Sequence, residues 1–421
     1  MALNTEKPAA RRLADRTAAR RLAARLPGRL TGRLPGRLPG RLWGRLTEQD
    51  RAVLRIWLVS RCAVLALSWP AGALLQGSTR TALPWLAMWQ NWDAGRLQAI
   101  AQHGYFGPAG HAIAYQVAFL PGFPFVLAAV HLIVRQWTVS GLLVSFVSGG
   151  VAAVALGRIA CAQDRDTRDR DDVDRDDVGR RAVLFLVTSP AAIFLAAGYA
   201  ESLFLALALC CWLAARRGRW TAAVLLAGAA AAVRVNGLFL CAALAVCILQ
   251  AGRGRRVRSL LVFIPALVPL GGYELYLRLR TGDWLAWQHA ELAGWQRQFT
   301  SPVTAFRTTW AAAFSREFTA PINFVFQLEI LAAAIGVLAT LLLVRRRRWP
   351  EAVYSGLTIA ALTTSVWYES VPRALLLLWP LWCGLAAAAA RRPWVGQLYL
   401  AVSVPISAAI GLLFLSGHWA G

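Results

Sequence analysis

The sequence predicts an all-α polytopic membrane protein, and three observations carry that prediction. Of 421 residues 57% are apolar, and the mean hydropathy is +0.49. Several nearly charge-free runs approach or exceed the roughly 18–20 residues a helix needs to cross a bilayer. A large soluble helical core would not leave so many such runs. Second, the 19 tryptophans suit the aromatic belts at membrane–water boundaries. Third, the net charge of +24 gathers in the N-terminal tail and in short connections: Arg180-Arg181, Arg216-Arg217-Gly218-Arg219, Arg253 to Arg258, Arg345 to Arg348 and Arg391-Arg392. Basic loops on one side of a membrane, facing anionic lipid headgroups, account for this better than nucleic acid does.

Taken in order, residues 1–50 form a basic tail with no signal-peptide core, including five copies of a four-residue unit at 27–46, PGRL-TGRL-PGRL-PGRL-WGRL. Recurrent Pro and Gly break any long helix there, so the tail is expected to be disordered and cytoplasmic. Residues 51–421 form the membrane domain. Its apolar runs predict about 11 transmembrane helices, at 53–75, 138–160, 182–199, 200–215, 220–235, 237–250, 259–279, 322–344, 351–368, 373–390 and 394–415. A first outer loop is expected over about 76–137 and a second over about 280–321.

The run 112–134 is broken by Pro121 and Pro124. Counting it as a crossing would move every later basic loop outside, so it reads as a re-entrant or interfacial part of the first outer loop. Residues 164–177, within a cytoplasmic D/R linker at 161–181, hold eight of the 21 acidic residues. Their interleaved arginines make a self-neutralising flexible linker a better reading than a metal site. The seven cysteines show no paired or metal-ligand spacing and read as packing residues.

Ionisable groups near membrane depth are functional suspects, and in this topology most remaining acids, with many arginines, fall on the outer side. Asp93 stands between Trp92 and Arg96. It is either a carboxylate for proton transfer or a structural group, paired with Arg96 at i,i+3 or capping a short helix together with Asn91. Glu201 is either a site residue or a helix-start charge. Arg234, at the end of an Ala/Leu run, either grips a phosphate or snorkels to anchor a helix end. Glu274 and Glu329 are the deep acids that a transporter would use.

Several stretches then resemble one family in order along the chain. Trp92-Asp93, Ile100-Ala101 with Gly104-Tyr105, and Ala118-Phe119-Leu120-Pro121-Gly122-Phe123-Pro124 resemble a signature of the PIG-V-type mannosyltransferases. So do Ser189-Pro190, Gly198-Tyr199-Ala200-Glu201-Ser202, Arg217-Gly218-Arg219-Trp220, Arg234 with Asn236-Gly237, and Pro372-Arg373 before Leu377-Leu378-Trp379-Pro380. Gly95-Arg96-Leu97, Leu120, Gly122 and Ala374 depart from the family pattern.

The resemblance implies a GT-C-type membrane glycosyltransferase. It would move mannose from a polyprenyl-phosphate carrier to a glycolipid or protein acceptor on the non-cytoplasmic face of a bacterial-type plasma membrane. Asp93 becomes the expected catalytic base. Trp92, Arg96, His103, Tyr105, Glu201, Arg234, Asn236 and Arg373 become expected substrate-binding residues. No cofactor is required, a divalent metal is permitted, and a partner subunit is left open. The alternatives are another lipid-linked sugar on the same fold, a lipid or solute transporter, and a non-catalytic membrane subunit.

Overall fold

The apolar runs of the sequence are helical, and where they stop is what shapes the molecule. The computed structural model describes residues 46–75, 85–107, 113, 115–167, 172–250 and 264–421. The expected disordered tail therefore lies, up to residue 45, outside the described residues. From residue 48, within the stretch expected to be tail, the chain is already helical: α1 spans Glu48–Leu75. Its start is pinned by Asp50, which accepts from the Thr47 N–H at 2.9 Å and pairs with Arg158 at 2.7 Å.

A 3₁₀ turn at Trp85–Gln90 leads to α2 (Asp93–His103). A second 3₁₀ turn at Gln116–Ala118 leads to α3 (Gly122–Val134). At 13 residues, α3 rises about 20 Å, short of the ~30 Å hydrocarbon layer.

The long α4 (Trp137–Thr167) and α5 (Asp172–Val187) follow. The D/R stretch expected to be a flexible linker is helical on both flanks, with residues 168–171 outside the described set. Arginine–aspartate pairs one turn apart, Arg180 and Arg181 on Asp177, support the helix instead of loosening it.

The run at 182–199 is not one helix. α5 ends at Val187, and Ser189-Pro190 then open an irregular turn containing a 3₁₀ segment, Ala192–Leu195. The physical reason is visible in the hydrogen bonds. Arg61, wholly buried on α1, donates to the carbonyls of Val187 at 3.2 Å and Ala192 at 2.9 Å, taking acceptors that a continuing helix would have used.

Beyond the turn come α6 (Ala200–Arg216), α7 (Trp220–Val233) and α8 (Asn236–Gln250). Next are α9 (Ile264–Thr281), α10 (Ala286–Trp295), α11 (Pro302–Ala313) and α12 (Ala320–Arg345). The chain ends in α13 (Trp349–Thr363), α14 (Val371–Leu377), α15 (Trp379–Arg391) and α16 (Pro393–Leu415). The expected span 351–368 stops at Thr363, and 373–390 is broken by a 75° bend between α14 and α15.

Among the described residues four helices are long and apolar enough to cross a membrane: the segments Glu48–Trp69, Trp137–Gln163, Ala320–Arg345 and Pro393–Leu415. The bent pair α14–α15 makes five if taken as one span. With the apolar composition, this makes the chain an integral membrane protein. The remaining apolar helices are shorter.

Three of the breaks, before α6, between α7 and α8 and before α14, meet around one cleft. Glu201 and Arg216 stand at opposite ends of α6, about 22 Å apart by helical rise. Likewise Arg345 closes the far end of α12 and Arg391-Arg392 precede the start of α16. For α6, α12 and α16, the end nearer the cleft is thus the end away from their arginine-rich connections.

Candidate active site

Asp93 is the first residue of α2, and its position is set by an unusual residue before it. Trp92 holds φ 57°, a left-handed conformation that a bulky side chain adopts only when its surroundings enforce it. Here the Trp92 indole donates to the carbonyl of His418 at 3.0 Å, and Asn91 Nδ2 donates to the carbonyls of Phe414 at 2.7 Å and Met88 at 3.0 Å. The Tyr199 hydroxyl closes the turn. It accepts the Asp93 N–H and donates to the Asn91 carbonyl, each at 3.2 Å. The first motif of the chain is therefore held by a residue of a later one, Gly198-Tyr199-Ala200-Glu201.

Glu201, fully buried in the first turn of α6, organises the cations. Its Oε1 accepts from Arg234 Nη1 at 2.8 Å and from both Nε and Nη2 of Arg373 at 2.8 Å. Arg373 Nη2 also lies 2.9 Å from Asp93 Oδ2. Its guanidinium stands 4.9 Å from the ring centroids of Phe194 and Tyr199, which adds cation–π attraction in a dry setting. The result is a chain of charge, Asp93–Arg373–Glu201–Arg234, drawn from four separate elements. Asp93 is paired with Arg373, not with Arg96.

The glycines of two motifs explain how Arg234 reaches this point. A Cβ on Gly237 would lie 2.3 Å from the Ala231 Cα, and one on Gly122 would lie 2.7 Å from the Ala232 carbonyl oxygen. Bare backbone on both sides lets the turn at Arg234–Val235 close tightly between α7, α8 and the start of α3. The small residue at 122, a departure from the family pattern, is therefore needed by this packing.

Asp93, Arg234, Asn236 and Arg373 line one cleft of about 120 Å³, over the buried Glu201. Asn236 is buried beneath it and donates to Thr358 Oγ1 at 3.5 Å. The other expected residues are less central. Arg96 sits beside the cleft, its guanidinium 5.6 Å from the Tyr115 ring and 5.4 Å from that of Trp295, which is itself a lining residue. Trp92 supports the turn.

His103 and Tyr105 are not brought to the site. His103 is exposed at the far end of α2, about 15 Å along the helix from Asp93. Tyr105 is buried in a separate cluster. Its hydroxyl donates to the Phe119 carbonyl at 2.9 Å and its ring packs on Tyr273 at 5.4 Å. It pins the loop ahead of α3.

Four residues that sequence reasoning did not single out as site residues complete the arrangement. Tyr199 was present in a quoted motif. Glu291 and Arg297 form a pair at 3.2 Å on the cleft wall contributed by α10 and the segment after it. Burial pushes the Glu291 carboxyl up and Arg297 opposes the shift. Glu369, on the turn between α13 and α14, is pushed up to about 7 by burial, with Arg297 opposing and the Asp93 charge adding. These three belong to no motif in the chain, and only folding brings them opposite Asp93.

Beneath them Glu329, fully buried on α12, accepts the N–H groups of Ser370 at 2.9 Å and Val371 at 2.8 Å, one on each oxygen. It thereby caps the helix that carries Arg373. Glu329 was expected only as a deep acid of a transporter. It is engaged by backbone, behind the Ser370 and Arg373 that line the cleft.

Among the described residues, no group of three or more His, Cys, Asp or Glu side chains is placed to hold a metal ion. The arrangement offers instead a carboxylate at a cleft mouth and guanidiniums of graded accessibility. Arg373 is 9% exposed, Arg234 21% and Arg297 34%. An entering anion meets the latter two before the first.

Residues 80–252 match the family described as mannosyltransferase (PIG-V). Curated relatives include GPI alpha-1,6-mannosyltransferase 2 of Mus musculus, 34% identical over 157 residues, which is 35% of this chain and 29% of the relative. The protein of the same name from Homo sapiens is 33% identical over 160 residues, with the same two shares of 35% and 29%. The chain thus spans less than a third of these relatives' length. The crystal structure of ArnT from Cupriavidus metallidurans bound to undecaprenyl phosphate aligns with a TM-score of 0.44 at 13% identity, covering 86% of this chain and 76% of that one. The PIG-V-type resemblance holds over residues 80–252, which include Asp93, Tyr199, Glu201, Arg234 and Asn236. Arg373 lies beyond them.

Proposed function

We propose that this chain, PIG-V-type over residues 80–252, is a membrane glycosyltransferase. It moves a mannosyl residue from a polyprenyl-phosphate carrier to a glycolipid or protein hydroxyl at the non-cytoplasmic face, with inversion, and Asp93 is its general base. The observation that supports the reading best is the juxtaposition of Asp93 with Arg373, Glu201 and Arg234 at one cleft. These residues lie as much as 280 positions apart in sequence.

The chemistry asks little of the protein beyond that cluster. A sugar on a lipid phosphate carries a good leaving group, so departure needs charge stabilisation more than acid. Arg234 and Arg297, the two more exposed guanidiniums, suit the phosphate, where preformed positive charge lowers the barrier. Arg373 holds Asp93 by Oδ2, which leaves Oδ1 to receive the proton of the acceptor hydroxyl. Attack on the face opposite the leaving phosphate inverts the anomeric carbon. At about 120 Å³ the cleft is below the roughly 300–1,000 Å³ that encloses a whole small ligand. It fits the reacting groups, with the lipid tail and the rest of the acceptor outside.

The test is direct. Membranes carrying the chain are incubated with radiolabelled polyprenyl-phosphate mannose, and the labelled product is identified. Label should pass to an acceptor, and Asp93→Asn should lower transfer by about 10²–10⁴-fold while the protein still folds. A variant with near-full activity would reject Asp93 as the base. Label carried across the membrane without transfer would favour a transporter instead.

A further inference from the structure

Helix α11 lies apart from the cleft and shows three distinct faces. One is buried against the protein: Ala305, Thr309, Ala312 and Ala313. A second is apolar and exposed: Val303 at 60%, Phe306 at 42%, Trp310 at 50% and Phe314, just past the helix end, at 57%. At 100° per residue these four fall within an arc of about 80°. The aromatic three follow one another in a row with tilted rings, Phe306 to Trp310 at 5.6 Å and Trp310 to Phe314 at 4.7 Å between centroids. The third face carries Thr304, Arg307 and Thr308. A soluble surface seldom leaves so continuous an aromatic row bare, and none of the described residues covers it.

The position of the helix says what does. Its C-terminal end is tied to the first turns of α12, a helix long and apolar enough to cross the membrane. Asn323 Nδ2 donates to the Ser315 carbonyl at 2.7 Å, and Gln327 Nε2 donates to the Ala313 carbonyl at 3.1 Å. The stripe therefore stands beside the end of that span opposite Arg345. With 12 residues, α11 is about 18 Å long and cannot itself cross. Phe and Trp on one side with Thr and Arg on another is the composition of a helix lying in the plane of an interface.

We infer that α11 is an interfacial helix, its Val303–Phe306–Trp310–Phe314 stripe seated at the headgroup–acyl boundary of the bilayer. This seat is independent of which reaction the cleft performs. It is bonded to the site all the same. Thr309 Oγ1 accepts the Tyr368 N–H at 2.8 Å, and the Thr300 N–H donates to the Thr364 carbonyl at 2.7 Å. The turn 364–368, which leads into Glu369, Ser370 and Arg373, is thus held at both ends by the segment resting on the lipid. The bilayer surface fixes the height of the cleft's acidic rim.

The unmodified full chain, reconstituted in phosphatidylcholine–phosphatidylglycerol vesicles, tests this with two photoactivatable phospholipids. One carries a diazirine beside the ester carbonyl and the other at the end of the acyl chain. After irradiation, adducts are mapped by mass spectrometry. Peptides covering residues 303–314 should be labelled several-fold more by the shallow probe, while the middle of α12 is labelled more by the deep one. Labelling of 303–314 by neither probe would mean that water or a second copy covers the stripe, and would overturn the inference. Equal or greater labelling by the deep probe would place the helix in the hydrocarbon, and would overturn it too.

Discussion

Glu201 and Glu329 are both wholly buried on helices behind the cleft, yet they are engaged in opposite ways. Glu201 draws two guanidiniums from distant segments onto Oε1, while its buried Oε2 makes no hydrogen bond, so its charge is balanced by charge. Glu329 accepts two backbone N–H groups at the start of α14, so its carboxyl is held chiefly by backbone dipoles and not by a direct ion pair. One residue gathers the polar groups of the site. The other fixes the backbone from which one of those groups, Arg373, projects. The difference separates what builds a site from what aims it.

The comparison breaks most severely at Glu201. Glu201→Ala leaves Arg234 and Arg373 without their shared partner, and uncompensated buried charge of this kind destabilises by about 3–5 kcal/mol. Poor yield of folded protein and loss of transfer should appear together in detergent melting and activity assays. A variant that melts like the parent would show that the cluster contributes little to the fold.

Glu329→Gln should do less to the fold and more to aim. The amide accepts only one N–H well and turns a donor toward the other, which costs about 1–3 kcal/mol. If Glu329 acts by placing Arg373, its effect on transfer should largely vanish once Arg373 is already Lys, so the pair should be strongly non-additive. Additive losses would make Glu329 a general stabiliser with no special tie to Arg373.

Much of this site was legible before folding, and the boundary of legibility has a physical cause. Asp93, Glu201, Arg234 and Asn236 sit in short motifs with glycine or proline nearby, because a tight turn and the group it presents are encoded together. Gly237 beside Arg234 is the plainest case. Glu291, Arg297 and Glu369 have no such local signature. Their roles come from which helices end near one another. His103 and Tyr105 illustrate the converse: a motif position can be there for packing alone, as the Tyr105–Phe119 hydrogen bond shows. The helical character of the apolar runs was likewise readable from hydropathy, but their breaks were not: 351–368 stops at Thr363, 373–390 bends by 75°, and the end of α5 falls at Val187. The last of these depends on Arg61, more than 120 residues away, reaching carbonyls that hydropathy does not register.

Glu369 sharpens the contrast from outside the motifs. Its carboxyl is raised from 4.5 to about 7 by burial, so the native state holds this proton more tightly than the unfolded chain does. The group's stabilising contribution is therefore full below its unfolded pKa and is lost as pH rises through about 7. The apparent melting temperature of the parent should fall between about pH 5 and 8, and Glu369→Gln should flatten that slope. An unchanged slope in the variant would assign the pH dependence to another group.

The smallest effect, at Tyr105, decides whether the family resemblance marks chemistry or architecture at that position. Its hydroxyl donates to the Phe119 carbonyl in a buried cluster away from the cleft. Tyr105→Phe removes one neutral hydrogen bond and keeps the ring, which costs about 0.5–1.5 kcal/mol. The variant should melt slightly lower and transfer sugar at nearly the parent's rate, with KM and kcat unchanged within error. Suppose instead that transfer fell by the factors expected for Asp93→Asn while melting stayed put. The hydroxyl would then have to reach substrate, the loop over 113–120 would have to move during turnover, and the division between aiming and supporting residues would need redrawing from that loop outward.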